Sequence, residues 1–233
     1  MAADQLALGL IWYVAFLLSL TAHEGAHAWA ALRLGDPTAY QGGQVTLNPW
    51  PHVRRSPFGT VLVPLLSFAF QGWMIGWASA PYDPVWAERH PRKEALMAAA
   101  GPAANLLLVA LAGVGLRAGL AADVFALPTG RLSLDGLVVP AASWASGLAP
   151  LVSILFSLNL ILFVFNLFPL PPLDGSAVYP ALISEDAARR FKRLLAAQPA
   201  LSLLGLVVAW RLFGPVFQPV LRAAVGVLYA GLG

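Results

Sequence analysis

The chain has 233 residues, of which 59% are hydrophobic and only 11% charged, with a mean hydropathy of +0.73. A soluble domain carries about a quarter charged residues, so a globule this apolar would expose large greasy patches, and the solvent for much of its surface is lipid. The formal charge of +3 sits in short basic clusters between apolar runs, which argues against nucleic acid as a partner, and the absence of cysteine excludes disulfides and thiolate metal sites.

A bilayer core of about 30 Å calls for about 20 apolar residues per helix. The first predicted span covers residues 5–32 and is closed by Arg33, Gly35, Asp36 and Pro37. Residues 1–4 hold no Lys or Arg and the apolar run is long, so a retained helix is expected rather than a cleaved signal. A turn-rich segment at 41–57 follows. Within it, 44–47 is expected as a short membrane-associated strand, bounded by Gly42, Gly43 and Asn48-Pro49. Residues 58–80 are apolar but interrupted by Pro64, Gln71, Gly72 and Gly76. Further spans are expected at 95–120 and 148–170. Residues 184–198 read as an interfacial helix capped by Ser184, with Phe191, Leu194 and Leu195 on one face; a solvated connector fits equally. A last span is expected at 200–213, and the apolar tail to 233 is broken by Pro215 and Pro219. The fold class expected is an all-α polytopic membrane protein of about four to six transmembrane helices around a three-helix core. A single domain is expected over 1–233, with its core at 5–183 and C-terminal apolar helices at 200–232.

Ionisable groups inside a membrane span are costly and mark function. Two of the four histidines fall inside the first span, in His23-Glu24-Gly25-Ala26-His27. Helix positions i and i+4 share a face, so both imidazoles can reach one zinc ion, while Glu24 sits beside the metal as a base for water. A pair of structural histidines is the bland alternative, but it leaves Glu24 buried in hydrocarbon without a task. A catalytic zinc takes three protein ligands, and without cysteine the third must be His, Asp or Glu. His52 and His90 lie in polar loops. Asp174 is better placed, in Asn166-Leu167-Phe168-Pro169-Leu170-Pro171-Pro172-Leu173-Asp174-Gly175, where prolines break the helix and Gly175 allows a turn. Taken alone, that run is an ordinary turn. Gly101-Pro102-Ala103-Ala104-Asn105 opens the third span; its small residues suit close helix packing, and Asn105 needs a polar partner.

These three motifs, in this order, resemble the site-2 protease family of intramembrane zinc metalloproteases over roughly residues 6–180. Gly35-Asp36-Pro37, Gly43-Gln44-Val45-Thr46-Leu47-Asn48-Pro49 and the loop with His52 resemble its small bacterial branch, which has no PDZ or nucleotide-sensing domain. The resemblance implies one zinc per chain held by His23, His27 and Asp174, with Glu24 as catalytic base. It implies that Asn166 assists the scissile carbonyl or oxyanion, and more weakly that Asn105 does.

Shared ligation also constrains topology. His23 and His27 lie toward the end of the first span and Asp174 after the fourth, so both ends must face one leaflet. Three full crossings between them would forbid it, so 58–80 is expected not to cross. The loops at 33–57, 81–94 and 171–199 then carry ten Lys/Arg on one side, against Arg131 alone at 121–147. Strict alternation would give only seven against four. The expected chain is an integral protein of the bacterial inner membrane, with an external N-terminus and its site toward the cytoplasmic leaflet. The expected reaction is peptide-bond hydrolysis in or near a transmembrane helix of a protein or peptide substrate. Rivals are a membrane scaffold or metal-binding protein that kept the fold, and a peptidase for clipped peptides at the membrane surface. Strand addition of substrate to 44–47 is a further expectation.

Overall fold

The computed structural model describes residues 2–179 and 200–231, and between them only residues 186, 187, 190, 193, 194 and 198. Most of the interfacial helix expected at 184–198 lies outside the described residues.

The first helix, α1 (Ala2–Leu34), has 33 residues and a length of about 50 Å at 1.5 Å per residue. It ends where Gly35 takes a left-handed φ of 106°. The Gly35 N–H donates to the Leu32 carbonyl and the Asp36 N–H to the Ala31 carbonyl, the paired bonds that close a helix C-terminus. Asp36 is 1% exposed. Its Oδ1 accepts from the Thr38 N–H (2.9 Å) and hydroxyl (2.5 Å), and its Oδ2 accepts from the Asp83 N–H (2.8 Å). Burial pushes the Asp36 carboxyl up, but these donors, the Thr38 hydroxyl first, outweigh it and hold the carboxyl below its ordinary value.

Short helices α2 (Thr38–Gln41) and α3 (Pro49–Arg55) follow, the second capped by the Asn48 side chain, which accepts from the Trp50 N–H. The strand expected at 44–47 is absent. Gly43 has a φ of 69°, the Gln44 N–H turns back to the Ala39 carbonyl, and the Asn48 N–H donates to the Thr46 hydroxyl. Local turn bonds claim this backbone, and no neighbouring strand competes for it. A π-helical stretch (Phe58–Leu62) runs into α4 (Val63–Gln71). Together Phe58–Gln71 spans about 21 Å, short of a bilayer core of about 30 Å. The chain then returns in extended form, with the Trp77 N–H donating to the Gly59 carbonyl at 3.1 Å.

After α5 (Pro84–Arg89), the long helix α6 (Pro91–Ala121) leads into a two-stranded antiparallel ribbon, β1 (Phe125–Ala126) with β2 (Val139–Pro140). Then come α7 (Leu148–Asn166), the single turn α8 (Gly175–Val178) and α9 (Ala200–Tyr229), which carries Pro215 and Pro219 inside it. Among the described residues four helices are long and apolar enough to cross a membrane: Ala3–Leu34, Pro91–Ala121, Ser143–Asn166 and Ala200–Tyr229. The apolar tail therefore continues the last span rather than breaking from it.

Side-chain bonds fix how these helices run. His23 bonds Asn105 while His27 bonds Met97, so α1 and α6 are antiparallel. Ser19 meets Asn159 and Ile11 meets Gly147, so α1 and α7 are parallel. Lys93 Nζ donates to the Leu34 carbonyl, so the chain returns after α4 to the end of the bundle it left. At the opposite end Arg117 Nη1 donates to the carbonyls of Val227 (3.2 Å), Leu228 (2.9 Å) and Ala230 (3.0 Å), which caps α9 beside the end of α6. Apolar packing holds the bundle on both sides of α7: Trp12, Phe16, Leu20, Met74, Ile154 and Leu158 form one cluster. Leu116, Phe125, Phe156, Leu160, Phe168 and Phe217 anchor the other.

Candidate metal centre

The helical spacing of α1 sets the two imidazoles edge to face, with ring centroids 4.6 Å apart. Both are buried, and their Nε2 atoms are 3.0 Å apart. The turn after α7 brings Asp174 onto them: Oδ2 lies 3.1 Å from His23 Nε2 and Oδ1 lies 3.4 Å from His27 Nε2. Gly175 is required there for space, since a Cβ would stand 2.3 Å from the Phe168 carbonyl oxygen and 2.5 Å from that of Leu167. His52 and His90 are not part of this cluster. His52 donates from Nε2 to the Thr46 carbonyl, and His90 from Nδ1 to the Trp86 carbonyl.

The donor set fits a metal ion. His23 Nδ1–H donates to Asn105 Oδ1 at 2.6 Å, and His27 Nδ1–H donates to the Met97 carbonyl at 2.8 Å. With each proton on Nδ1, each Nε2 carries a lone pair, so two imidazole acceptors and a carboxylate point at one another. Asp174 Oδ2 is buried without a hydrogen-bond donor. Three acceptors in contact need a cation between them. Ligand atoms on a tetrahedral zinc with bonds of about 2.0–2.2 Å lie about 3.3 Å apart, close to the three separations here. The ligand atoms of His23, His27 and Asp174 all lie within 4.8 Å of one another.

Glu24, one residue along α1, is 5% exposed and faces a cavity of about 260 Å³. His27, Asp174 and Glu94 line the same cavity, together with the extended chain at 78–82. Neither asparagine expected at the oxyanion points into it. Asn105, fully buried behind His23, spends its amide hydrogens on Asn159 Oδ1 (2.8 Å) and the Ser19 carbonyl (3.4 Å). There its Oδ1 meets the His23 imidazole, and Asn105 is not among the residues that line the cavity. Asn166 ends α7 and donates back to the Leu162 carbonyl at 3.0 Å.

Three contributors have roles beyond what the sequence signals. Met97 acts through its backbone carbonyl. Gly101, expected as a packing glycine, lets α6 lie against the ligands: a Cβ there would stand 2.3 Å from His27 Nε2 and 2.7 Å from His23 Cε1. The chain at 78–82 becomes a cavity wall only through the return after α4. Glu94 was findable, as the acidic residue opening the apolar run of α6.

Residues 11–208 match the family model of peptidase family M50. The chain is 31% identical over 226 residues to the protein named "Putative zinc metalloprotease YwhC" of Bacillus subtilis (strain 168), covering 89% of this chain and 93% of that one. It is 32% identical over 194 residues to Rip2 of Mycobacterium tuberculosis (strain ATCC 25618 / H37Rv), whose name carries the same description, covering 83% of this chain and 63% of Rip2. No solved structure matches the chain significantly. A cluster of two buried histidines and a part-buried aspartate beside a glutamate, in a bundle of membrane-length helices, agrees with these likenesses: the chain belongs to peptidase family M50, the site-2 proteases, and is an integral membrane zinc metalloprotease.

Proposed function

We propose that the protein is an intramembrane endopeptidase, hydrolysing peptide bonds in or near transmembrane helices of membrane-protein substrates in the manner of regulated intramembrane proteolysis. The observation that carries this reading is the burial of His23, Glu24 and His27 within a helix of membrane-crossing length, with Glu24, His27 and Asp174 lining one cavity. In this reading His23, His27 and Asp174 hold the metal. When bound, zinc supplies Lewis acidity, polarising the scissile carbonyl and lowering the pKa of the attacking water toward ~7.

The side chains around the ion then divide the remaining work. Glu24 takes the proton of the attacking water and delivers it to the leaving amine. Asn166 lies on the segment that carries Asp174; by exchanging its bond to the Leu162 carbonyl for one to the oxyanion, it stabilises the developing charge. Asn105 keeps His23 in place. Among the described residues, the N–H groups of Ala78, Ser79, Ala80 and Tyr82 make no hydrogen bond, and they border the cavity. An unwound substrate segment can pair there, where 44–47 cannot. In this reading the metal end of the bundle faces the cytoplasm of a bacterial inner membrane, which the basic loops of the sequence support. Residues 1–233 act as one catalytic domain, with 5–183 as its core and the C-terminal helix packed against it.

The test compares detergent-purified wild type, Glu24→Gln and Asp174→Ala for zinc content and for cleavage of a panel of transmembrane-helix fusions. One zinc per chain is expected in wild type and Glu24→Gln and less in Asp174→Ala, with cleavage by wild type alone. Hydrolysis of soluble peptides but of no fusion would replace the intramembrane reading with a surface peptidase. Zinc retention without any hydrolysis would favour a scaffold.

A further inference from the structure

Behind His23, a line of polar side chains crosses the helix core at full burial, and each of its bonds has only one possible direction. Ser19, Asn105 and Asn159 are all 0% exposed. The line starts at two backbone carbonyls, which can only accept. Ser19 donates its hydroxyl proton to the Ala15 carbonyl at 2.7 Å. Asn159 donates from Nδ2 to the Leu155 carbonyl at 2.7 Å and to Ser19 Oγ at 2.8 Å. Turning the Asn159 amide over would set its oxygen against the Leu155 oxygen, so Oδ1 must face Asn105. It accepts from Asn105 Nδ2 at 2.8 Å, and the other hydrogen of that amide makes a longer bond to the Ser19 carbonyl at 3.4 Å. That leaves Asn105 Oδ1 for His23, whose Nδ1 stands 2.6 Å away. An amide oxygen has no proton to give, so the proton between them belongs to His23 Nδ1, and His23 Nε2 keeps its lone pair.

We propose that Asn159 is a positioning residue which, acting through Asn105, fixes His23 as the Nδ1–H tautomer and so presents its Nε2 to the metal. This rests on the reading of His23 as a zinc ligand. Asn159 touches neither the ligand cluster nor the cavity; its effect passes through the polarity of the hydrogen-bond line. His27 is set independently, by the Met97 carbonyl. One histidine ligand thus takes its tautomer from α6 alone, and the other from an arrangement that also needs α1 and α7. Partners that orient a metal-ligating imidazole typically matter about 10–100-fold in metal affinity.

The test uses the full-length chain labelled with 15N-histidine in detergent. Long-range 1H–15N spectra of the metal-stripped protein, taken at a pH alkaline enough that both imidazoles are neutral, tell a lone-pair ring nitrogen from an N–H, and chelator competition measures zinc affinity. In wild type His23 and His27 should both be Nδ1–H, and His52, which donates to Thr46 from Nε2, should show the opposite tautomer. In Asn159→Leu the His23 signal should become a tautomer mixture while His27 stays unchanged, with zinc affinity lower by about 10–100-fold. Ser19→Ala removes one of the two acceptors that hold Asn159, and should move His23 in the same direction by less.

The decisive comparison is Asn105→Asp, whose carboxylate accepts from His23 whichever way it is turned. In that background, adding Asn159→Leu should no longer change the His23 tautomer. A His23 signal that stays pure Nδ1–H in Asn159→Leu, or a double variant as disturbed as Asn159→Leu alone, would overturn the proposal in favour of a packing role. A wild type that shows these tautomers but binds no zinc would instead remove the ligand reading, because the spectra report the hydrogen-bond line without metal.

Discussion

At the scale of single residues, the centre is crowded where a metal site needs precision, and Gly101 tests that most directly. On helix propensity alone, Gly101→Ala should stabilise α6 by about 1 kcal/mol. Sterically its Cβ would meet His27 Nε2 at 2.3 Å and His23 Cε1 at 2.7 Å. The expected outcome is a folded protein whose zinc affinity falls by about 10–100-fold and whose hydrolysis falls with it. Full zinc occupancy and activity in Gly101→Ala would show that α6 moves freely off the histidines. Asn166→Ala should behave differently, losing about 10²–10³ in kcat with zinc content unchanged, as for removal of one oxyanion donor. An unaltered kcat would take Asn166 out of the reaction. The i, i+4 histidines with Glu24 are plain in the sequence because a helix alone brings them together. The carbonyl of Met97 and the bare face of Gly101 depend on the register of α6 against α1, which no local pattern encodes.

At the scale of elements, long apolar runs foretold α1, α6 and α7 to within a few residues, because lipid leaves the backbone few alternatives to helix. The irregular stretch between α1 and α6 was harder. Its Val45-Thr46-Leu47 run suits a strand by propensity, yet turn bonds at Gln44 and Asn48 hold it in another shape. What ties this stretch down is Asp36, which joins the end of α1 to the chain entering α5 and so fixes the far end of the cavity wall at 78–82. Asp36→Ala would take the acceptor from three part-buried donors, at a cost of about 1–2 kcal/mol. Because the folded carboxyl lies below its ordinary value, its contribution is complete above the unfolded value of about 3.9 and fades as pH falls through the lower folded one. Thermal melts of wild type and Asp36→Ala should therefore differ most near neutral pH and converge below about pH 4. A difference that holds constant down to strong acid would mean that packing, not the carboxylate, secures the junction.

At the scale of the whole molecule, the metal centre and the topology are one problem. Asp174 can join His23 and His27 only if α1 and α7 run parallel with α6 returning between them, and the bonds from Ser19 to Asn159 and from His23 to Asn105 require that arrangement. The expectation that residues 58–80 do not cross leads to the same arrangement, and Phe58–Gln71 is too short to span. The last helix follows the same logic. Arg117 caps the end of α9 beside the end of α6, so α9 ends on the side where α1 begins. The chain lacks cysteine, so single cysteines report sidedness without background. Ala3→Cys, Gly130→Cys and Ala230→Cys should react with a membrane-impermeant maleimide applied to intact cells. Ser56→Cys and Glu88→Cys, on either side of the hairpin, should react only after permeabilisation. Opposite labelling of Ser56→Cys and Glu88→Cys would mean that residues 58–80 cross the membrane. In that case α1 and α7 would run in opposite senses, and His23, His27 and Asp174 could not share one ion.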